Sequence, residues 1–392
     1  ARGASHSRRS RAARVTSVER VRAALAFEEP DRVPLAHFAI DCDTIGRVIG
    51  RRSIVRDKAA LTLAWWDGRR DEVAQQMAAD LIDFYRALDV YDLIPLWKMA
   101  QVPPKGYHPA APKKIADDTW EDASGRIYRF SGASNEITIV RDPNPPREWR
   151  EEDFPLDPAP APEDESIYEA YDAVLATLPA DKYILGPFPM ANEQVLLGGY
   201  EQGMLEIALH PELVERAVQS SIARARRQQE RWRPRGAHGV INGADWGHTT
   251  GTFVSPATFR RLFAPAVQFN VQAAHGVGLD FFQHSCGNFK PIIDQLADAG
   301  IDCMQSLQES AGMTPAVVKE LSGGRMAGWG GMDVGVLVGG TPDEVRAAVR
   351  MSMERDKPGG GFLMGAGNSV AFGTPYDNFM AWLDEFERLR DY

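Results

Sequence analysis

Apolar positions recur at helical spacing over residues 16–27, and Thr16 stands three residues before Glu19, the spacing of a capping box. Pro30 and Pro34 end that helix and open an extended segment running to Ile40. Helical spacing returns over 58–66 and 71–88, and 89–94 reads as a strand. From 167 onward short apolar runs alternate with amphipathic stretches. The runs fall at 183–186, 240–242, 279–283, 303–304, 326–329 and 362–364. The helical stretches fall at 167–177, 211–231, 256–277, 289–299, 315–321, 341–354 and 375–390. Such alternation predicts parallel strands joined by crossover helices. About eight strand candidates suit a closed (β/α)8 TIM barrel preceded by an N-terminal helical extension. An open doubly wound sheet is the alternative, but no Gly-rich nucleotide fingerprint opens a first strand–helix unit.

Residues 101–165 break the pattern. Proline is dense there, 119–129 reads strand, turn, strand, and 137–140 supplies another strand. We read a small antiparallel β insertion followed by a Pro-rich loop at 143–162, within a single domain spanning 16–392. Residues 1–15, rich in Arg and Ser with no apolar centre, read as a flexible tail lacking the apolar region of a secretory signal.

Charge narrows the partners. The net charge of −10 argues against non-specific binding to nucleic acid or an anionic membrane. No apolar run approaches the roughly 20 residues of a membrane span. Three cysteines are too few for a disulfide framework, so a reducing, cytoplasmic setting is expected.

In a barrel, chemistry belongs just after the strands. His284-Ser285-Cys286-Gly287-Asn288 follows such a strand, and side chains two apart at a strand end point to one side. Imidazole and thiol form a zinc-compatible pair. Asp245 and His248 follow the strand at 240–242, Gln305 and Gln308 the one at 303–304, and Asn368 the one at 362–364. Each has a plainer reading. Asp245 and Asp333 suit helix caps, His248 suits solvent, and the glutamines suit loop backbone. Cys303 reads as core, and Cys42 lies between Asp41 and Asp43, whose charges disfavour a thiolate. Phe188, Trp246 and Trp329 near predicted loops could shape an apolar pocket or pack the core, and His37 joins them as a candidate substrate contact.

Several segments, in order, resemble the uroporphyrinogen decarboxylase superfamily: residues 30–34 (PDRVP), 186–188 (GPF), 245–247 (DWG), 284–288 (HSCGN), 340–345 (GTPDEV) and 374–378 (TPYDN). The resemblance covers nearly the whole chain and implies the same barrel. It also implies two chemistries. True decarboxylases carry an Arg-rich N-terminal substrate loop, whereas residues 35–47 read LAHFAIDCDTIGR with one arginine, Arg47. The late Gly-His-Gly of that group is Gly365-Ala366-Gly367 here. The resemblance therefore points to the other group, the corrinoid-linked methyltransferases. There His-x-Cys binds zinc with a later Cys; Ala366 stands in that stretch, which argues against coenzyme M as acceptor and calls for a replacement ligand.

The expectation is a zinc-assisted methyltransferase moving a methyl group from a small, methoxylated donor to a corrinoid (cobalamin-type) cofactor on a partner protein. His284 and Cys286 would hold zinc with Asp245 or His248, and Asp245, His248 and Asn368 would be catalytic. Phe188, Trp246, Trp329, Gln305, Gln308 and His37 would contact substrate. Homodimers occur in the superfamily, so the resemblance allows a homodimer, and the sequence leaves the oligomeric state open. Two alternatives stand: a metal-free decarboxylase-like lyase using Asp41, Asp43 or Asp245 as acid, and a non-catalytic barrel binding tetrapyrroles or corrinoids.

Overall fold

The computed structural model describes residues 15–159 and 164–392. Residues 1–14 of the expected tail and 160–163 of the Pro-rich loop lie outside the described residues. Five strands form one parallel ladder in chain order: Gly239–Gly243, Asp280–His284, Cys303–Leu307, Ala327–Met332 and Phe362–Ala366. Leu93–Ile94 pairs in parallel with Tyr183–Ile184. Single parallel bridges join the two sets: Leu185 to Gly239, Ala36 to Leu93 and Leu35 to Met364. The extended segment at 35–36 is thereby the first of eight strands, and the ring closes as a (β/α)8 barrel.

Alternation along each strand decides what fills the barrel. Phe282, Cys303, Trp329 and Leu363 share the interior cluster with Tyr183, Leu185 and Ile241. Their neighbours Val240, Phe281 and Met304 turn outward onto helices. Gly365 makes room for the largest interior side chain: a Cβ there would lie 2.3 Å from Trp329 Nε1.

The helix Ser17–Leu25 carries the capping box that Thr16 and Glu19 predict. It lies under the strands, with Val21 and Ala24 in the interior cluster and Ala24 O accepting from Gly361 N–H at 3.0 Å. Arg20 pairs with Asp31 and with buried Asp92, both at 2.7 Å. One end of the barrel is thus plugged by the chain itself.

Residues 113–141 form the expected insertion, a four-stranded antiparallel sheet of Lys113–Ala116, Thr119–Glu121, Ile127–Ser131 and Glu136–Arg141. Trp120 and Tyr128 hold it to Trp66 on the helix Lys58–Trp66, with ring centroids 5.7 and 5.6 Å apart. The single helix expected at 256–277 is two, Pro256–Leu262 and Ala264–Gly276, because Pro265 is suited to open a new helix rather than continue one. The helices Cys42–Ile49 and Tyr200–Leu209 were not foreseen; the first mixes Gly46 with Thr44, Ile45, Val48 and Ile49, weak helix formers. Among the described residues no helix is long and apolar enough to cross a membrane.

Candidate metal site at the barrel rim

His284 ends its strand and shares the parity of Phe282, so its ring faces the barrel mouth. Cys286 follows on a tight turn. Gly287 there has φ +72°, and a Cβ on it would meet Gly247 backbone at 2.4 Å. That close approach brings the neighbouring loop alongside. Asp245 Oδ1 accepts from Cys286 N–H at 2.9 Å, and Ser285 Oγ accepts from Trp246 N–H at 3.0 Å.

One ligand atom each from Asp245, His284 and Cys286 falls within 4.8 Å of the others. His284 Nε2 is 3.5 Å from Cys286 Sγ and 3.6 Å from Asp245 Oδ1. Bonds of about 2.0–2.3 Å in a tetrahedron place zinc ligands about 3.3–3.6 Å apart, so these two spacings fit one zinc ion. Three protein ligands leave a position for substrate.

The surroundings favour a ligand role. His284 Nδ1 meets Gln305 Oε1. An amide oxygen only accepts, so Nδ1 carries the hydrogen and Nε2 presents its lone pair towards the sulfur. Phe38 stacks on the imidazole with centroids 4.4 Å apart. Burial lowers the His284 pKa, keeping the ring neutral. Burial and the nearby Asp245 charge push the Cys286 thiol up to about 11, against hydrogen bonds from Ser306 and Asn368 that favour the thiolate. Asn368 Nδ2 donates to Cys286 Sγ at 3.2 Å, and Ser306 Oγ lies 3.3 Å from it. Ser306 reaches inward because the strand bulges: the register shifts opposite Trp329 and Gly330, and Ser306 adopts φ +74°. Ser306 Oγ also lies 3.0 Å from Gly367 O, which competes with the sulfur for its single hydrogen.

Other expected site residues lie elsewhere. His248 is exposed, its ring against Phe253 and Thr250, and it is not one of the three residues whose ligand atoms converge. Trp329 fills the barrel interior. Trp246 and Phe188 pack behind the strands against Phe259 and Trp232. These three are core, not rim, because aromatic residues near strand ends serve the helix layer equally well. His37 is sealed among Phe84, Tyr85 and Tyr91, with its pKa pushed down to about 3 by burial; its neighbour Phe38 faces the site instead. Gln308 accepts from Gly287 N–H at 2.9 Å and so holds the turn, and Gln305 Oε1 orients His284 while its buried Nε2 has no partner among the described residues. Ala366 packs into the outer core, and Asn368 takes the place beside the sulfur. Asp333 caps Val334–Gly339, and Cys303 is core. Asp41 is engaged by Arg56 at 2.6 Å and by Phe372 N–H, and Asp43 Oδ2 accepts from Gly373 N–H while its Oδ1 is buried without a partner among the described residues. Phe38 and Ser306 went unforeseen, and neither carried a usable signal. A cleft of about 590 Å³ opens away from the cluster, between Trp120, Phe130, Ile137, Leu63 and Arg52. The chemistry, not the volume, locates the site.

A closed parallel barrel with Asp245, His284 and Cys286 gathered on its C-terminal rim defines the fold class, a TIM barrel. Residues 175–389, more than half of the chain, match the family described as uroporphyrinogen decarboxylase (URO-D), and the chain belongs to that family. Among solved structures, a methyltransferase from Methanosarcina mazei is similar at 19% identity and TM-score 0.59, over 96% of this chain and 99% of that one. A protein from Listeria monocytogenes, named for vitamin-B12-independent methionine synthase, is 10% identical with TM-score 0.40, over 92% and 97%. The former likeness supports the fold; the latter is too distant to carry an argument. No curated protein matches.

Proposed function

We propose that this protein is a zinc-assisted methyltransferase that moves a methyl group from a small methoxylated substrate to a corrinoid on a partner protein. The observation that carries this reading is the convergence of Asp245, His284 and Cys286 at one-ion spacing on the barrel rim. The fold shared with the methyltransferase from Methanosarcina mazei supports it.

Demethylation breaks a carbon–oxygen bond and leaves the electron pair on oxygen, a poor leaving group unless its charge is stabilised. Zinc, when bound, supplies that stabilisation as a Lewis acid. This chain's residues prepare for it. Gln305 fixes the imidazole tautomer. Asn368 donates to the Cys286 sulfur, stabilising the thiolate a metal ligand must become. Phe38 covers one face of the imidazole and limits water there.

Metal analysis of the purified protein beside His284→Ala and Cys286→Ala is the test. We expect about one zinc per chain, lost in both variants together with methyl transfer to reduced cobalamin from methoxylated donors. Full transfer by either variant would overturn the reading.

A further inference from the structure

Asp245 stands two residues past the strand Gly239–Gly243, beyond the last ladder pair of Gly243 with His284. Its backbone is held instead from outside the barrel wall, where Gln194 Nε2 donates to Asp245 O. On the neighbouring strand Gln283 shares the outward parity of Phe281 and donates its Nε2 to His284 O at 3.1 Å. Two glutamine amides thus grip the carbonyls of two of the three residues in the metal-ligand group.

Gln194 hangs from a fixed support. Asn270, fully buried on the helix Ala264–Gly276, clamps the segment before it. Its Oδ1 accepts from Ala191 N–H at 2.8 Å, and its two amide hydrogens go to Ala191 O at 3.0 Å and Glu193 Oε1 at 2.8 Å. Asn192 N–H donates to Ser221 Oγ at 2.6 Å, and Gln194 N–H to Asn192 Oδ1 at 3.1 Å. This polar layer is costly. Glu193 Oε2, with Asn242 Nδ2 and Gln283 Oε1 on paired strands, is buried without a partner among the described residues, as those two are. Each such atom costs about 1–3 kcal/mol, so the layer favours position over stability.

We propose that Gln194 is a positioning residue that holds Asp245 in place as the third metal ligand. The inference rests on the metal reading of the site. A carboxylate on a free loop would lose its freedom when the ion binds; one already fixed by its carbonyl loses less.

The test is a double-mutant cycle of Gln194→Met, which keeps bulk and removes the donor, with Asp245→Ala. Zinc affinity is read by competition with a chelator. Gln194→Met should weaken zinc about tenfold in the unaltered protein and by less than about twofold in the Asp245→Ala background. Gln194→Lys, which restores a donor, should recover most of the loss. An equal loss in both backgrounds, or none in either, would overturn the assignment and leave the metal reading standing. The metal-free chain gives an independent reading through alkylation of Cys286 by iodoacetamide, located by mass spectrometry. Burial and the Asp245 charge hold that thiol protonated. Gln194→Met should therefore speed alkylation about threefold, and not at all once Asp245 is replaced by alanine. No zinc on the unaltered protein would sink the metal reading; alkylation would still decide whether Gln194 places Asp245, and a rate indifferent to Gln194 would refute it.

Discussion

Gln305 orients His284 through its amide oxygen. Replacing it with leucine removes the acceptor that fixes His284 while preserving bulk. Zinc affinity should fall about 10–100-fold with folding intact. Competition with a chelator measures this, and an unchanged affinity would reduce Gln305 to packing. Glu193 makes a different residue-scale prediction. It is fully buried, accepts from Asn270 Nδ2 at 2.8 Å, and is raised by burial to about 7. A carboxyl raised in the folded state holds its proton there while the unfolded chain has lost it. Stability from this group should therefore be present below pH 4.5 and be lost as pH rises to about 7, by up to about 3 kcal/mol. Denaturant titrations across that range should show a flatter profile for Glu193→Gln; identical slopes would refute the assignment. The sequence made Asp245, His284 and Cys286 legible because they stand at a strand end or two positions past one, where parity dictates direction. It misjudged His37 against Phe38 because the segment at 35–40 makes only isolated bridges, so no regular ladder fixes its parity.

At the scale of elements, interior volume is rationed between neighbouring strands. Gly365→Ala drives a methyl group into the Trp329 indole and should cost about 1–3 kcal/mol, read by urea denaturation. A neutral result would mean that Trp329 can shift. Thr341→Ala removes the capping box of the helix Pro342–Asp356 and should cost about 1 kcal/mol. Such caps explain why the expected helix starts at Thr16 and Thr341 lie beside the observed ones. The bulge at Ser306 had no comparable signal. Nothing in Gln305-Ser306-Leu307 marks a left-handed serine, because the register shift is imposed by the pairing with Trp329 and Gly330.

At the scale of the molecule, the fold depends on how its first helix is fastened. Arg20→Met would leave Asp92 buried with its main partner gone, although Arg32 and Ser17 still reach it at 3.1 and 2.9 Å. A loss of about 3 kcal/mol or more is expected in denaturant melts. A loss below about 1 kcal/mol would show that the remaining partners suffice. The barrel itself was readable from the repeating strand and helix signals. The count of strand candidates also pointed to closure, but not to where it is made, since the joining contacts are single bridges from short, irregular segments.

The plug formed by Ser17–Leu25 has a kinetic corollary. With that end shut among the described residues, the rim carrying the cluster is the open end, and under the methyl-transfer reading a small donor and a protein-borne acceptor would share it. For methyl transfer, the donor would have to enter first, with the partner last on and first off. Excess partner protein should then slow turnover by occupying an empty doorway, and added donor should relieve that inhibition. Initial-rate measurements over a grid of both concentrations would reveal this compulsory order, and a random-order pattern would point to a second way in.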